Sequence, residues 1–143
     1  ENNENLDTTN GLFKMYPPIR TEEDRLSLID GLLSNVIDAI ATDHAPHPEN
    51  TKTVDFKSAA RGVVGLESAF PMLYSSGILS LEKIKRFMIE NPRKILSEAG
   101  YEVEKSQINI WQPCDKEFTT KSKFNNSIFE KRNTKIEKVS QNV

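Results

Sequence analysis

Residues 37–50 read IDAIATDHAPHPEN, and this stretch decides how the chain is understood. With Val36 in front of it, the run to Thr42 is short, rich in β-branched residues and nearly apolar throughout. That pattern predicts a strand buried on both faces, as in a parallel sheet. Asp43 closes the strand, and Pro46 and Pro48 make the continuation a loop. The only two histidines of the chain, His44 and His47, follow that carboxylate directly.

The flanking sequence supports an α/β order. Upstream, Pro17 and Pro18 force an extended path. Thr21 is then a candidate N-cap, with Asp24 three residues later and Glu22 and Glu23 at the positive end of the helix dipole. Leu26, Ile29, Leu32 and Leu33 share a face, which predicts a helix from 22 to about 34. Downstream, 48–62 reads as a longer loop. LESAFPMLYSSG then predicts a helix stopped by Gly77 and kinked or divided by Pro71. Ser80 caps the next helix, where Leu81, Ile84, Phe87 and Met88 align. Asn91 is expected to cap a last short helix with Pro92 in its first turn and Gly100 beyond its end. QINIWQP, 107–113, is a strand candidate. The polar ends, ENNENLDTTN and KRNTKIEKVSQNV, read as loop or tail. One buried strand cannot close a sheet, because an α/β core needs several parallel strands. The element count therefore predicts a piece of a larger α/β architecture.

Composition narrows the function. The chain has 143 residues, 28% of them charged, and a net charge of -2. Phosphate binding needs a basic excess, so no nucleic-acid partner is expected. No apolar run approaches the roughly 20 residues that span a bilayer. The polar start is not a signal peptide, and cytoplasm is the default compartment. The single Cys114 allows no internal disulfide and is expected to be an inert thiol.

The chemistry-bearing residues lie where the strand ends. At that edge barrel enzymes place their catalytic groups. If strand geometry persists for one more residue, Asp43 and His44 point apart, whereas Asp43 and His47 can converge as the proline-shaped loop turns back. An aspartate there can bind a metal through oxygen or take a proton from a metal-bound water. A strand-end Asp is also an ordinary turn former, and histidines beside prolines are often exposed loop residues. Lys52 and Lys57 in the following loop are expected to be solvated. Phe70, Leu73, Tyr74, Ile84, Phe87 and Met88 are expected in the core, with Trp111 packing from a smaller unit.

Several of these motifs, in order, resemble one family. IDAIATDHAPH is similar to the end of the last barrel strand of dihydroorotases, within the amidohydrolase superfamily. FKMYPPIR resembles that family's Lys-Met-Asn-Pro-Pro-Leu-Arg segment. GVVGLESAFPMLYSSGILSLEKIKRFMIENPRKIL resembles the helices that follow its last strand. The likeness covers roughly 10–97, and INIWQPCDKEFTTKSKFNNSIF looks like the start of the family's small β-domain.

The resemblance implies a fold: the last strand and flanking helices of a (β/α)8 TIM-like barrel, incomplete, plus the start of a small β-domain. It divides the chain into 1–112, the C-terminal part of the barrel, and 113–143, a small β-domain remnant with a polar tail. It implies that Asp43 is the metal-associated aspartate and the general base. His47 would contact the substrate carboxylate, and Gly62, with Ala60 in the same loop, would meet the substrate ring. Zinc is the implied cofactor. The implied reaction is the reversible cyclisation of N-carbamoyl-L-aspartate to dihydroorotate in pyrimidine biosynthesis. The implied partners are that small-molecule substrate and the remainder of the barrel or another subunit.

Two positions depart from the family. Tyr16 stands where it has Asn, and Ala60-Arg61-Gly62 where it has Pro-Phe-Gly. These favour an alternative, a non-catalytic dihydroorotase-like partner of aspartate transcarbamoylase. A hydantoinase or allantoinase relative is a third reading, against which the Asp-His-Ala-Pro-His run argues. The family's His-x-His pair and its other metal-ligand histidines are not found here.

Overall fold

The computed structural model describes residues 3–7, 9–103, 110–117 and 132–139. Two short 3-10 turns, Asn3–Asn5 and Gly11–Phe13, precede helix α1, Glu22–Leu33. Thr21 caps α1 as its sequence predicts. Its hydroxyl accepts from the Asp24 amide at 3.2 Å and donates to the Asp24 carboxylate at 3.0 Å. That bond, helped by Arg20, holds the Asp24 carboxyl below the usual range. Leu32 reaches the core, but Leu26, Leu28 and Leu33 on α1 are exposed.

The expected strand over 36–42 does not form: the run has a bend at Ile37 and no ladder. No described strand lies alongside to accept its amides, so the backbone is tied at single points. Ile40 N–H donates to Phe87 O at 3.0 Å, and the Asn91 side-chain amide donates to Asp38 O at 2.7 Å. Burial on both faces does not occur either: Val36 is 77% exposed, and Ala41 is exposed too.

The loop over 48–62 contains a four-residue helix, α2, Glu49–Lys52. Helix α3 runs Ala69–Ser76, shorter at its start than the sequence suggests, and Gly77 stops it at φ +67°. Pro71 neither kinks nor divides it. The ring sits in the first turn, where an amide has no intrahelical acceptor to lose.

Helix α4, Leu81–Lys85, begins at Ser80, whose hydroxyl accepts from Lys83 N at 3.3 Å. It continues without a break through a π-helical turn, Arg86–Glu90, into α5, Asn91–Glu98. Asn91 is therefore helical and not a cap. The wide turn lies where Pro92 would crowd the carbonyl of residue 88 and leave it without its usual donor, and π-bulges relieve such conflicts.

The core centres on Leu79, Ile84 and Phe87, with Leu32, Ile40, Phe70, Leu73, Tyr74 and Met88 packed against it. All six core residues expected from periodicity are in this group.

Strands β1, Ile110–Glu117, and β2, Asn133–Val139, pair antiparallel, with Ile110 opposite Val139. β1 runs beyond the expected end at Pro113. That proline sits at a register shift between residues 113 and 116, the kind of site where a missing donor is tolerated. The expected boundary between 112 and 113 falls inside this strand. The tail expectation is corrected for 133–139, which is strand. Thr134 and Ile136 alternate inward and are buried, and the Lys135 amide donates to the Ser75 hydroxyl of α3 at 2.8 Å. Trp111 packs on α3 through Phe70, ring centroids 4.6 Å apart. Of the expected small domain, 118–131 and 140–143 lie outside the described residues, as do 107–109 of the strand candidate. The described chain is thus α/β, with a helical body and one two-stranded sheet.

Candidate functional site

Asp43 stands at the end of the 36–42 run with φ +44°, the left-handed region. For a residue with a Cβ this conformation costs about 1 kcal/mol or more, and Asp and Asn tolerate it best. Strand alternation therefore does not persist through Asp43, and its side chain is exposed.

His44 is held by backbone donors. Its Nδ1 accepts from the Gly65 amide at 3.1 Å and the Leu66 amide at 3.2 Å. Two donors on one nitrogen fix the neutral tautomer with its proton on Nε2. His44 also bridges Val63 in parallel fashion, and Ala45 N–H donates to Val63 O at 3.0 Å. The strand end is thereby pinned to the segment leading into α3.

His47 is held differently. Its Nε2 lies 2.7 Å from Arg61 O. A carbonyl only accepts, so Nε2 carries a proton, and in the neutral form of the ring the lone pair lies on Nδ1. Gly62, next to Arg61, is buried at φ +125°. A Cβ there would fall 2.4 Å from Ala45 Cβ and 3.3 Å from His47 Nε2. Only glycine fits between the two.

The Gly62 and Ala60 backbones are anchored from below. Gly62 N–H donates to Lys14 O at 3.0 Å, and Ala60 N–H donates to Thr51 O at 2.9 Å. Lys52 donates from Nζ to Lys14 O at 2.8 Å and to Ala60 O at 2.9 Å. Lys52 is completely buried, which corrects the expectation of a solvated charge. Burial pushes its ammonium down to about 8, and the nearby Lys14 charge adds to this. No sequence signal marks a buried lysine, because its partners are backbone carbonyls that every residue carries. Lys57 is exposed as expected, and its carbonyl accepts from Lys14 Nζ at 2.6 Å.

The two departures from the family meet. Tyr16, 70% exposed, lies under the exposed Arg61, whose guanidinium carbon is 5.7 Å from the ring centroid. An exposed pair of this kind contributes about 0.5–1 kcal/mol.

The arrangement offers an acceptor carboxylate at Asp43, an Nδ1 lone pair at His47 and an Nε2–H donor at His44. It does not make a zinc site. Among the described residues no three His, Cys, Asp or Glu side chains are grouped to hold an ion. His44 presents a proton where a ligand needs a lone pair. A catalytic zinc usually takes three protein ligands.

Relatives of known identity match most of this stretch. The chain is 50% identical to the dihydroorotase of Bacillus subtilis, over 61% of this chain and 21% of that one. It is 43% identical to the dihydroorotase of Lactobacillus leichmannii, over 68% of this chain and 24% of the relative. The matched part of this chain is homologous to dihydroorotases.

The chain spans about a quarter of the length of the dihydroorotases it matches. No family model matches it. The dihydroorotase structure from Campylobacter jejuni overlays with a TM-score of 0.69 at 19% identity, covering 92% of this chain and 38% of that one. An L-hydantoinase (dihydropyrimidinase) from Arthrobacter aurescens overlays at 0.71 with 28% identity, covering 88% and 32%. The first likeness is one of fold alone. No helix among the described residues is long and apolar enough to cross a membrane.

Proposed function

We propose that this chain is the C-terminal part of a dihydroorotase, the last strand and helices of an incomplete (β/α)8 barrel, and that it is inactive alone. The observation that carries this reading is Asp43, held in a left-handed conformation at a strand-like end and followed by a glycine-backed His47. Unfavourable backbone conformations of this kind cluster at functional sites. The division into a barrel part to 112 and a small β-domain from 113 belongs to the same proposal.

In ring opening, a water oxygen adds to the ring amide carbon and the C–N bond breaks. Asp43 takes the water proton and returns it to the departing nitrogen, giving N-carbamoyl-L-aspartate; ring closure reverses these transfers. His47 orients the substrate carboxylate, and Gly62 and Ala60 line the ring. Zinc is the metal the family resemblance implies, and Asp43 would be one ligand. The residues present do not complete its set, so the others would come from a further polypeptide segment.

The test mixes the purified chain, zinc and dihydroorotate with the N-terminal three quarters of a related dihydroorotase. Hydrolysis is expected in the mixture and not with either piece alone. A mixture that associates without hydrolysing contradicts the reading. The second reading, a non-catalytic partner of aspartate transcarbamoylase, is favoured by the Tyr16–Arg61 contact, which puts a bulky ring and a charge beside the substrate loop. Binding to the transcarbamoylase without hydrolysis in the mixture would select it.

A further inference from the structure

Lys52 connects two segments that lie far apart in sequence, 14–16 and 60–62. Its Nζ bonds Lys14 O at 2.8 Å, on the segment that leads to Tyr16, and Ala60 O at 2.9 Å, on the turn that leads to Arg61 and Gly62. Lys14 O accepts a second bond, from Gly62 N–H at 3.0 Å. Ala60 is gripped by α2 at both ends, because its amide donates to Thr51 O at 2.9 Å while its carbonyl accepts from Lys52. The next residue, Arg61, gives its carbonyl to His47 at 2.7 Å. The side chain is fully buried, so no water competes for these carbonyls.

We propose that Lys52 is a positioning residue that sets the spacing between 14–16 and 60–62, and through Gly62 and Arg61 the placement of His47. A lysine present only for the packing of its alkyl stem would let its ammonium reach solvent. Here the ammonium is kept inside at a cost in hydration and joins the two segments that carry both departures from the family. Its importance for substrate rests on the dihydroorotase reading; the clamp itself does not.

The test compares Lys52→Met in this chain with the unaltered chain by amide hydrogen exchange and by the His47 ring resonances. Methionine keeps the length and removes the donors. Exchange at Gly62 is expected to rise at least tenfold and the His47 resonances to move. Exchange at Ile84 and Phe87 in the helical core should stay within about twofold. Unchanged exchange at Gly62 overturns the proposal. So does an equal rise at Gly62 and Ile84, because that marks a global loss of stability. Should Lys52→Met not fold, the unaltered chain decides. Lys52 Nζ protons that exchange slowly and lie close to the Lys14 and Ala60 α-protons support the clamp. Protons exchanging as fast as those of exposed Lys57 overturn it. A separate arm adds dihydroorotate to the unaltered chain together with the N-terminal segment. A missing response at His47 counts against the dihydroorotase reading, while the clamp is judged from exchange alone.

Discussion

The segment 36–45 and the β1–β2 pair are held by opposite means. β1 and β2 satisfy each other's backbone groups along a ladder from Ile110 and Val139 to Glu117 and Asn133. The 36–45 segment has no ladder and is tied by isolated bonds, to Gly31, Phe87, Asn91 and Val63. Yet it is this segment that carries Asp43 and His44. A backbone fixed at a few points depends on each of them, whereas a ladder spreads the load over many equivalent bonds. Removing one anchor should therefore matter more around 36–65 than around 110–139.

The largest effect should come from Phe87→Ala. Phe87 is fully buried, and its carbonyl receives Ile40 N–H. Deleting the ring is expected to cost about 3–5 kcal/mol in denaturant unfolding and to free the Ile40 amide for exchange. Gly62→Ala should follow, at about 1–3 kcal/mol, because its Cβ meets Ala45 and its φ is +125°. His47 resonances should shift in that variant. His44→Ala leaves the Gly65 and Leu66 amides without their acceptor and should cost about 1–2 kcal/mol, with faster exchange at both. Thr134→Val, on the laddered side, removes the hydroxyl bonds to Ile136 O, the Ile136 amide and Ser75 and should cost about 1 kcal/mol. A Thr134 effect larger than that of His44 would break the comparison.

The smallest and most graded effect is in pH. Lys52 titrates near 8 in the folded chain and at 10.5 ordinarily. Between those values the unfolded chain binds more protons, so stability should increase as pH rises from about 8 toward 10.5. A neutral amine still has two N–H groups for its two carbonyls, so the clamp survives deprotonation. Thermal melts of the unaltered chain and Lys52→Met across that window check the sign: the rise should disappear in the variant.

Much of the helical side was legible in the sequence because its signals are local. Thr21 and Ser80 announced their helices, Gly77 its end, and the spacing of Ile84, Phe87 and Met88 its buried face. The π-helical turn was not legible, since it answers a clash between Pro92 and a carbonyl one turn earlier. The strand over 36–42 was half legible. Its apolar run marked a segment that is not helical, but a ladder needs neighbours, and none lies beside it among the described residues. β2 was legible only in hindsight, as the alternation of Thr134 and Ile136 inside a polar stretch. At the site, Asp43 and His47 stood out by residue type. The tautomers of both histidines and the burial of Lys52 follow from contacts between residues 8 to 38 positions apart. No window of sequence contains them.

The account turns on Asp43 being kept for proton transfer and not for folding. The direct test is Asp43→Asn, an isosteric change that the left-handed region also accepts. The melting temperature of this chain is measured alone, and dihydroorotate hydrolysis in the mixture with the N-terminal segment and zinc. The account predicts a melting temperature within about 2 °C of the unaltered chain and hydrolysis reduced about a hundredfold or more. Hydrolysis at the unaltered rate with Asn at position 43 would contradict it.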